Sequence, residues 1–194
     1  MLRVIAVAYK RPIRLRMLID CFLMQTQKRW ELNIIHDGFP PDDIKDVLSL
    51  YKDSRIKFSY TDEVNGHWGH PNRKIALKKI AVSHQEYVLM TNDDNYYVPM
   101  FVELVLKEGR AKDVGMIYCD TVHSYHNYNV LKTEVREGHI DMGSFAVRLD
   151  VAKKIDFRHI HFSADGTYAV ECANYCRLRH LRIVHIAKPL FVHN

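Results

Sequence analysis

Apolar residues along this chain follow two alternating rhythms. Short, nearly continuous apolar runs occur at RVIAVAY (3–9), WELNIIHDG (30–38), RIKFSYTD (55–62), EYVLMTNDD (86–94) and VGMIYCD (114–120). Between them apolar positions recur every three or four residues, as with Leu15, Leu18, Ile19 and Phe22 inside Ile13–Arg29, or Phe101, Leu104 and Val105 inside Val98–Arg110. The first rhythm predicts buried strands and the second amphipathic helices. Pro40 and Pro41 ahead of DDIKDVLSLY, with acidic residues in the first turn, predict another helix, and Pro71–Ala81 a fourth. Strands and helices in strict alternation predict a parallel sheet, covered on both faces and built through right-handed crossovers.

The pattern changes after residue 120. The segment HSYHNYNVLKTEVREGHIDMGSFAVR (123–148) is rich in Tyr, His and Asn, with short strand-like pieces. It predicts antiparallel strands or a hairpin. A short helix at Leu149–Ile155, a longer one at Ala164–Arg179, a last strand LRIVHI and a short tail PLFVHN complete the chain. No linker, repeat or low-complexity segment interrupts it, so one α/β domain over residues 1–194 is expected. Cys172, Cys176 and His180 recur every four residues, which reads as small thiols on a core-facing helix stripe. Ligands in straight succession along one helix lie too far apart to close a tetrahedral zinc site.

Composition refines this picture only slightly. The chain is 47% hydrophobic and 26% charged, ordinary for a globular protein, and its formal net charge is +5. A mildly basic surface suits a nucleotide, a nucleic acid or an anionic membrane and does not choose among them. Arg14, Arg16, Lys28 and Arg29 are expected along the first helix. The first apolar run, Val4–Tyr9, is too short for a signal-peptide core, and no run reaches membrane-spanning length. A cytoplasmic location is expected, with peripheral contact at the inner face of the membrane.

In open parallel sheets, ligands bind beyond the carboxyl ends of the strands. The polar signals fall there: Tyr9, Lys10 and Arg11 after the first strand, Asp37-Gly38 after the second, and Asn92-Asp93-Asp94 after the fourth. Adjacent carboxylates repel and resist desolvation, so Asp93 and Asp94 call for a cation, a helix N-terminus or solvent.

Taken in order, the Tyr9–Pro12 loop, Asp37-Gly38, NGHWGHPNRKIAL, NDDN followed by Pro99, and Ala164-Asp165 form one series. It resembles the inverting, family 2-like glycosyltransferases with the nucleotide-sugar-binding GT-A fold. The resemblance implies a nucleotide-binding half over 1–120 and an acceptor and catalytic-base half over 121–194. It implies that Ala8, Tyr9 and Arg11 lie near the nucleotide, with Asp37 on the base. Arg73 belongs to a pair that the family writes Arg-Asn and this chain writes Asn72-Arg73. Asn92, Asp93 and Asp94 fall on the family's DXD motif; Asn92, which departs from the family in the first place, and Asp93 would lie on the nucleotide, Asp93 taking up the ribose, and Asp94 would bind the metal. Asp165 matches the general base, with Ala164 where the family has Glu. His193 lies near a late histidine that joins the metal shell in some members. Trp68, Asp141, Met142, Gly143 and Ser144 would line the donor and acceptor sugars.

The resemblance thus implies transfer of a sugar from a nucleoside-diphosphate sugar, UDP first among them, to a glycan or lipid-linked acceptor. Mg²⁺ or Mn²⁺ would be the cofactor, a histidine ligand favouring Mn²⁺, and surface polysaccharide assembly the setting; nucleic acid is not an expected partner. Two other readings compete. A nucleotidyltransferase normally has a glycine-rich phosphate loop after its first strand, and AYKRPIRL contains no glycine. A binding module without turnover gains some support from the basic first helix and from Ala164.

Overall fold

The computed structural model describes residues 1–194. The first half follows the predicted alternation: β1 (Leu2–Ala8), α1 (Pro12–Leu23), β2 (Trp30–His36), α2 (Asp42–Ser49), β3 (Ile56–Tyr60), α3 (His70–Lys79), β4 (Tyr87–Asn92), the short β5 (Tyr96–Tyr97), α4 (Phe101–Glu108) and β6 (Val114–His123). The second half adds β7 (Asn129–Leu131), β8 (Phe145–Arg148), α5 (Leu149–Ile155), α6 (Ala164–Leu178) and β9 (Arg182–His193). The strands form one sheet in the order β3-β2-β1-β4-β8-β6-β9-β5, with β7 paired to β6. β1, β2, β3 and β4 are mutually parallel, as are β6 and β9; β8 runs antiparallel between β4 and β6. The carboxyl ends of all six long strands therefore meet along one edge.

Side chains alternate across this sheet into two cores. Val4, Ala6 and Leu89 face α1 and α4, where Leu15, Leu18, Phe22, Phe101 and Val105 pack. Ile5, Val88 and Met90 face α3, α5 and α6, where Leu77, Leu149, Phe157, Tyr168 and Cys172 pack. Period-two alternation of apolar residues on both faces is the signature of a covered parallel sheet. No helix is long and apolar enough to cross a membrane.

Three departures from the sequence reading have physical causes. α1 ends at Leu23, not Arg29, because the chain turns at Gln25. That buried amide donates to Cys21 O at 3.1 Å and to Val98 O at 2.9 Å, and its oxygen accepts Val102 N–H at 2.9 Å. Lys28 and Arg29 thus lie off the helix, Arg14 reaches Asp94 and Arg16 lies near Asp20, so the expected basic helix face does not exist. The supposed tail PLFVHN is the second half of β9. Pro189 sits where the β6–β9 register shifts beside Asp120, so the ladder passes a residue that lacks an N–H. His180, finally, lies beyond α6 at φ +54, while Cys172 and Cys176 are fully buried; the three share no helix face.

Gln25 links the end of α1 to the start of α4 through groups that water cannot reach. Gln25→Ala should destabilise the protein by about 2–4 kcal/mol, since it leaves buried backbone partners unpaired. Urea unfolding checks this; a loss below about 0.5 kcal/mol would mean that water or rearrangement satisfies them.

Candidate nucleotide-sugar site

The carboxyl ends of β1, β2, β4, β6 and β9 border a cavity of about 1210 Å³, large beside the usual range of roughly 300–1,000 Å³ for small-molecule sites. Ala8, Tyr9, Arg11, Asp37, Trp68, Arg73, Asn92, Asp94, Asp141, Met142, Asp165 and His193 all line it. Asp93, Gly143 and Ser144, also expected at substrate, do not.

Asp93 is fully buried behind the cavity wall. It accepts Tyr9 N–H at 3.1 Å, and the Arg11 guanidinium grips Asp93 Oδ1 and Asp94 Oδ2 together. The repulsion between the adjacent carboxylates is thus met by one planar cation with a hydrogen-bonding fork matched to two acceptors. Arg14 adds a second positive group 3.4 Å from Asp94. Burial pushes the Asp93 carboxyl up to about 6 even with Arg11 pulling it down. An Asp93 held this way positions the Tyr9 loop and does not reach a ribose. Gly143 fails for a packing reason: a Cβ there would meet the Phe191 ring at 2.3 Å and Tyr97 Oη at 2.9 Å. Its glycine admits its own core, not a substrate. Ser144 turns back to donate to Asp141 O at 2.7 Å.

Asp37 is 5% exposed and organises the loop above it. Its Oδ1 accepts Asn65 N–H and Asn72 Nδ2–H, both at 2.8 Å, and its Oδ2 accepts Gly66 N–H at 2.9 Å. Asn72 also accepts from Asn65 Nδ2 at 2.7 Å. The Asn72-Arg73 order acquires a structural meaning here. Asn72 serves Asp37, while Arg73 points the other way, donating to Asn92 Oδ1 and to Trp68 O at 2.8 Å, with His70 Nδ1 at 3.0 Å.

Arg73 is 1% exposed, and its Nε has no partner. Burial lowers its pKa to about 10, against the pull of Asp165, Asp141 and Asp94. One buried cation therefore stands among three carboxylates. Asp165, in the first turn of α6, accepts Gly166 N–H at 2.8 Å. Burial, and after it repulsion from Asp141, raises the Asp165 carboxyl to about 6.

At the far side of the cavity the parallel register pairs His123 of β6 with His193 of β9. Their rings stack at 4.1 Å with 7° between planes. Asp141 Oδ2 lies 3.7 Å from His193 Nε2, and ligand atoms of His123, Asp141 and His193 all fall within 4.8 Å of one another. Ser124 Oγ, 3.3 Å from His193 Nδ1, orients that ring and leaves Nε2 turned to the carboxylate. His123 had no signal in the sequence beyond the histidine-rich composition around it. Its role depends on which residue of β9 it pairs with, which only the sheet determines.

The Asp165 shift has a definite sign. The folded state holds this proton more tightly than an unfolded chain, whose reference value is 3.8. The resulting stability is fully present below that value and is lost as pH rises through about 6. Asp165→Asn removes the cost of the buried charge. It should raise stability at neutral pH by roughly 1–3 kcal/mol, with the gain vanishing near pH 4. Chemical unfolding at both pH values checks this, and equal stability of parent and variant at neutral pH would contradict it.

Comparison with known proteins agrees with this architecture. The family model described as "Glycosyl transferase family 2" matches residues 3–169. An uncharacterized glycosyltransferase of Mycoplasma genitalium is 26% identical over 104 residues, which cover 52% of this chain and 34% of that protein. The crystal structure of S. aureus TarS 1–349 superposes with a TM-score of 0.78 at 14% identity, over 100% of this chain and 60% of that one. TarS 1–349 in complex with UDP-GlcNAc gives 0.76 at 15% identity, over 98% and 57%. The mannosyltransferase PcManGT of Pyrobaculum calidifontis, in complex with GDP-Man and Mn²⁺, gives 0.71 at 14%, over 99% and 56%. This chain therefore spans about a third of the curated relative and under two thirds of these structures. Its fold is the GT-A fold, and the chain belongs to glycosyl transferase family 2.

Proposed function

We propose that this protein is an inverting glycosyltransferase that moves a sugar from a nucleoside-diphosphate sugar, UDP-linked in the first instance, to an acceptor hydroxyl. One observation carries the reading: Asp165, with a carboxyl raised towards neutrality, shares one cavity with Asp37, Asp94 and the His193 cluster around the buried Arg73. A base works best with a pKa near the operating pH, where it is ionised yet still holds a proton well. TarS in complex with UDP-GlcNAc and PcManGT in complex with GDP-Man have this fold, which supports a nucleotide sugar as donor.

In this reading residues 1–120 form the donor half and residues 121–194 the acceptor half. The nucleotide lies over the ends of β1 and β2, between Ala8, Tyr9 and the Asp37 loop, with Asn92 near the ribose. Asp165 removes the proton of the acceptor hydroxyl as that oxygen attacks the anomeric carbon. The bond to the diphosphate breaks, its electron pair leaves with the nucleoside diphosphate, and the single displacement inverts the carbon. Arg11 and Arg14 supply positive charge beside the diphosphate.

Two imidazole nitrogens and a carboxylate oxygen gathered within 4.8 Å make a donor set that fits a borderline divalent cation such as Mn²⁺ better than Mg²⁺. His193, with Asp141 and His123 beside it and Asp94 in the same cavity, would hold it. Such an ion, when bound, neutralises charge growing on the leaving diphosphate. The acceptor is a glycan, free or lipid-linked, as surface polysaccharide assembly requires.

Asp165→Asn should lower turnover by about 10²–10⁴-fold with donor affinity unchanged. Sugar transfer, or slow hydrolysis of the donor, gives the first quantity, and calorimetric titration with UDP the second. Turnover within a few fold of the parent would make Asp165 a helix-start residue only. In the parent, the rate should rise with pH through about 6, where Asp165 ionises. His193→Ala should abolish the thermal stabilisation that Mn²⁺ and UDP produce together. A shift equal to that of the parent would remove His193 from the metal site.

A further inference from the structure

We infer that Trp68 and Phe162 form a two-ring platform at the cavity mouth, and that it binds the acceptor as a sugar ring laid by its apolar face on the aromatic surface. The inference rests on Asp165 being the base, because it places the acceptor beside that residue.

Trp68 and Phe162 are 58% and 76% exposed, while Trp30 and most phenylalanines are buried in the two cores. The two rings meet edge to face, 5.5 Å apart with 73° between planes, and both line the cavity. They come from segments far apart in the sequence. Trp68 belongs to the turn before α3, and Phe162 stands three residues ahead of Asp165.

The turn that presents the indole is held firmly. Gly66, His67, Trp68 and Gly69 all have positive φ, at 64°, 50°, 52° and 78°. Left-handed backbone is unfavourable for His and Trp and persists only where the surroundings enforce it. Here the Trp68 carbonyl accepts from the buried Arg73, and Gly69 packs so tightly on β1 that a Cβ would meet Val7 Cγ1 at 2.3 Å. The structure thus keeps an indole in solvent by means of the same guanidinium that faces the base.

The surroundings select the occupant. An acyl chain needs a continuous apolar groove, whereas the cavity these rings share is also lined by His70, His139, Ser163 and Asp165. A pyranose matches that pattern: its axial C–H face packs on an aromatic ring, and its rim of hydroxyls needs polar partners. The 73° between the rings supplies one stacking face and one wall, in a cavity that Asp165 also lines.

Trp68 is also the reporter, since Trp30, the other tryptophan, is 1% exposed. The test is a titration of the UDP-bound protein with methyl glycosides of glucose, galactose and N-acetylglucosamine and with their disaccharides, read by tryptophan emission. A saturable change is expected with at least one glycoside. It should vanish in Trp68→Phe, while Phe162→Ala should weaken binding by about three- to tenfold and leave UDP affinity unchanged. Circular dichroism and the UDP titration show that each variant is folded. Silence towards every glycoside in a parent that binds UDP overturns the inference, as does a response to alkyl detergent micelles alone, or a Phe162→Ala affinity equal to that of the parent. A glycoside response without UDP binding would support the platform and sink the nucleotide-sugar reading, so the two failures are distinct.

Discussion

The convergence of carboxylates at this site depends on one buried guanidinium. Arg73 is 1% exposed and stands among Asp94, Asp141 and Asp165, which come from three separate parts of the chain. Three carboxylates converging on one cavity repel each other, and their desolvation is costly. A buried cation within reach of all three makes the convergence tolerable, though only in part: burial and Asp141 still raise the Asp165 carboxyl to about 6, and burial lowers Arg73 to about 10 against the pull of the carboxylates. Arg73 also sets geometry through Asn92 on one side and the Trp68 carbonyl on the other, so one side chain ties the end of β4 to the turn before α3.

A second cation solves a different problem. Arg11 holds Asp93 and Asp94 together at the end of β4, and the two carboxylates then part in role. Asp93 turns inward, loses all exposure and anchors the loop after β1. Asp94 keeps an edge on the cavity. Two neighbouring residues of one chemical type are separated by the turn after β4, which faces one inward and leaves the other on the cavity, not by their identity.

Much of the parallel half was legible from the chain because continuous apolar runs leave a strand little choice of face. The second half was not. β8 enters between β4 and β6 in the opposite direction, and nothing local in FAVR states that placement. Pro189 looked like the end of a strand, yet a register shift accommodates it and carries β9 on to His193. That extension is what brings His193 against His123. The candidate site divides along the same line. Asp37, Asp94 and Asp165 sit where motif order placed them on the cavity, because each follows directly from the end of a strand or the start of a helix. Asp93, Gly143 and Ser144 lie off the cavity lining because placement depends on packing that the local sequence does not state, against Phe191 and Tyr97 in the case of Gly143. His123 and Phe162 were missed because each becomes meaningful only beside a partner distant in the sequence.

The proposed reaction is a single direct displacement at the anomeric carbon, with one carboxylate as base. Water can replace the acceptor, so the stereochemistry is readable without knowing the natural one. Proton NMR of the parent protein with an α-linked nucleotide sugar, UDP-GlcNAc or GDP-mannose, in the presence of Mn²⁺ should show the β-anomer of the free sugar appearing first and mutarotating later. Initial release of the α-anomer, or a donor that binds yet is never cleaved, would contradict the account.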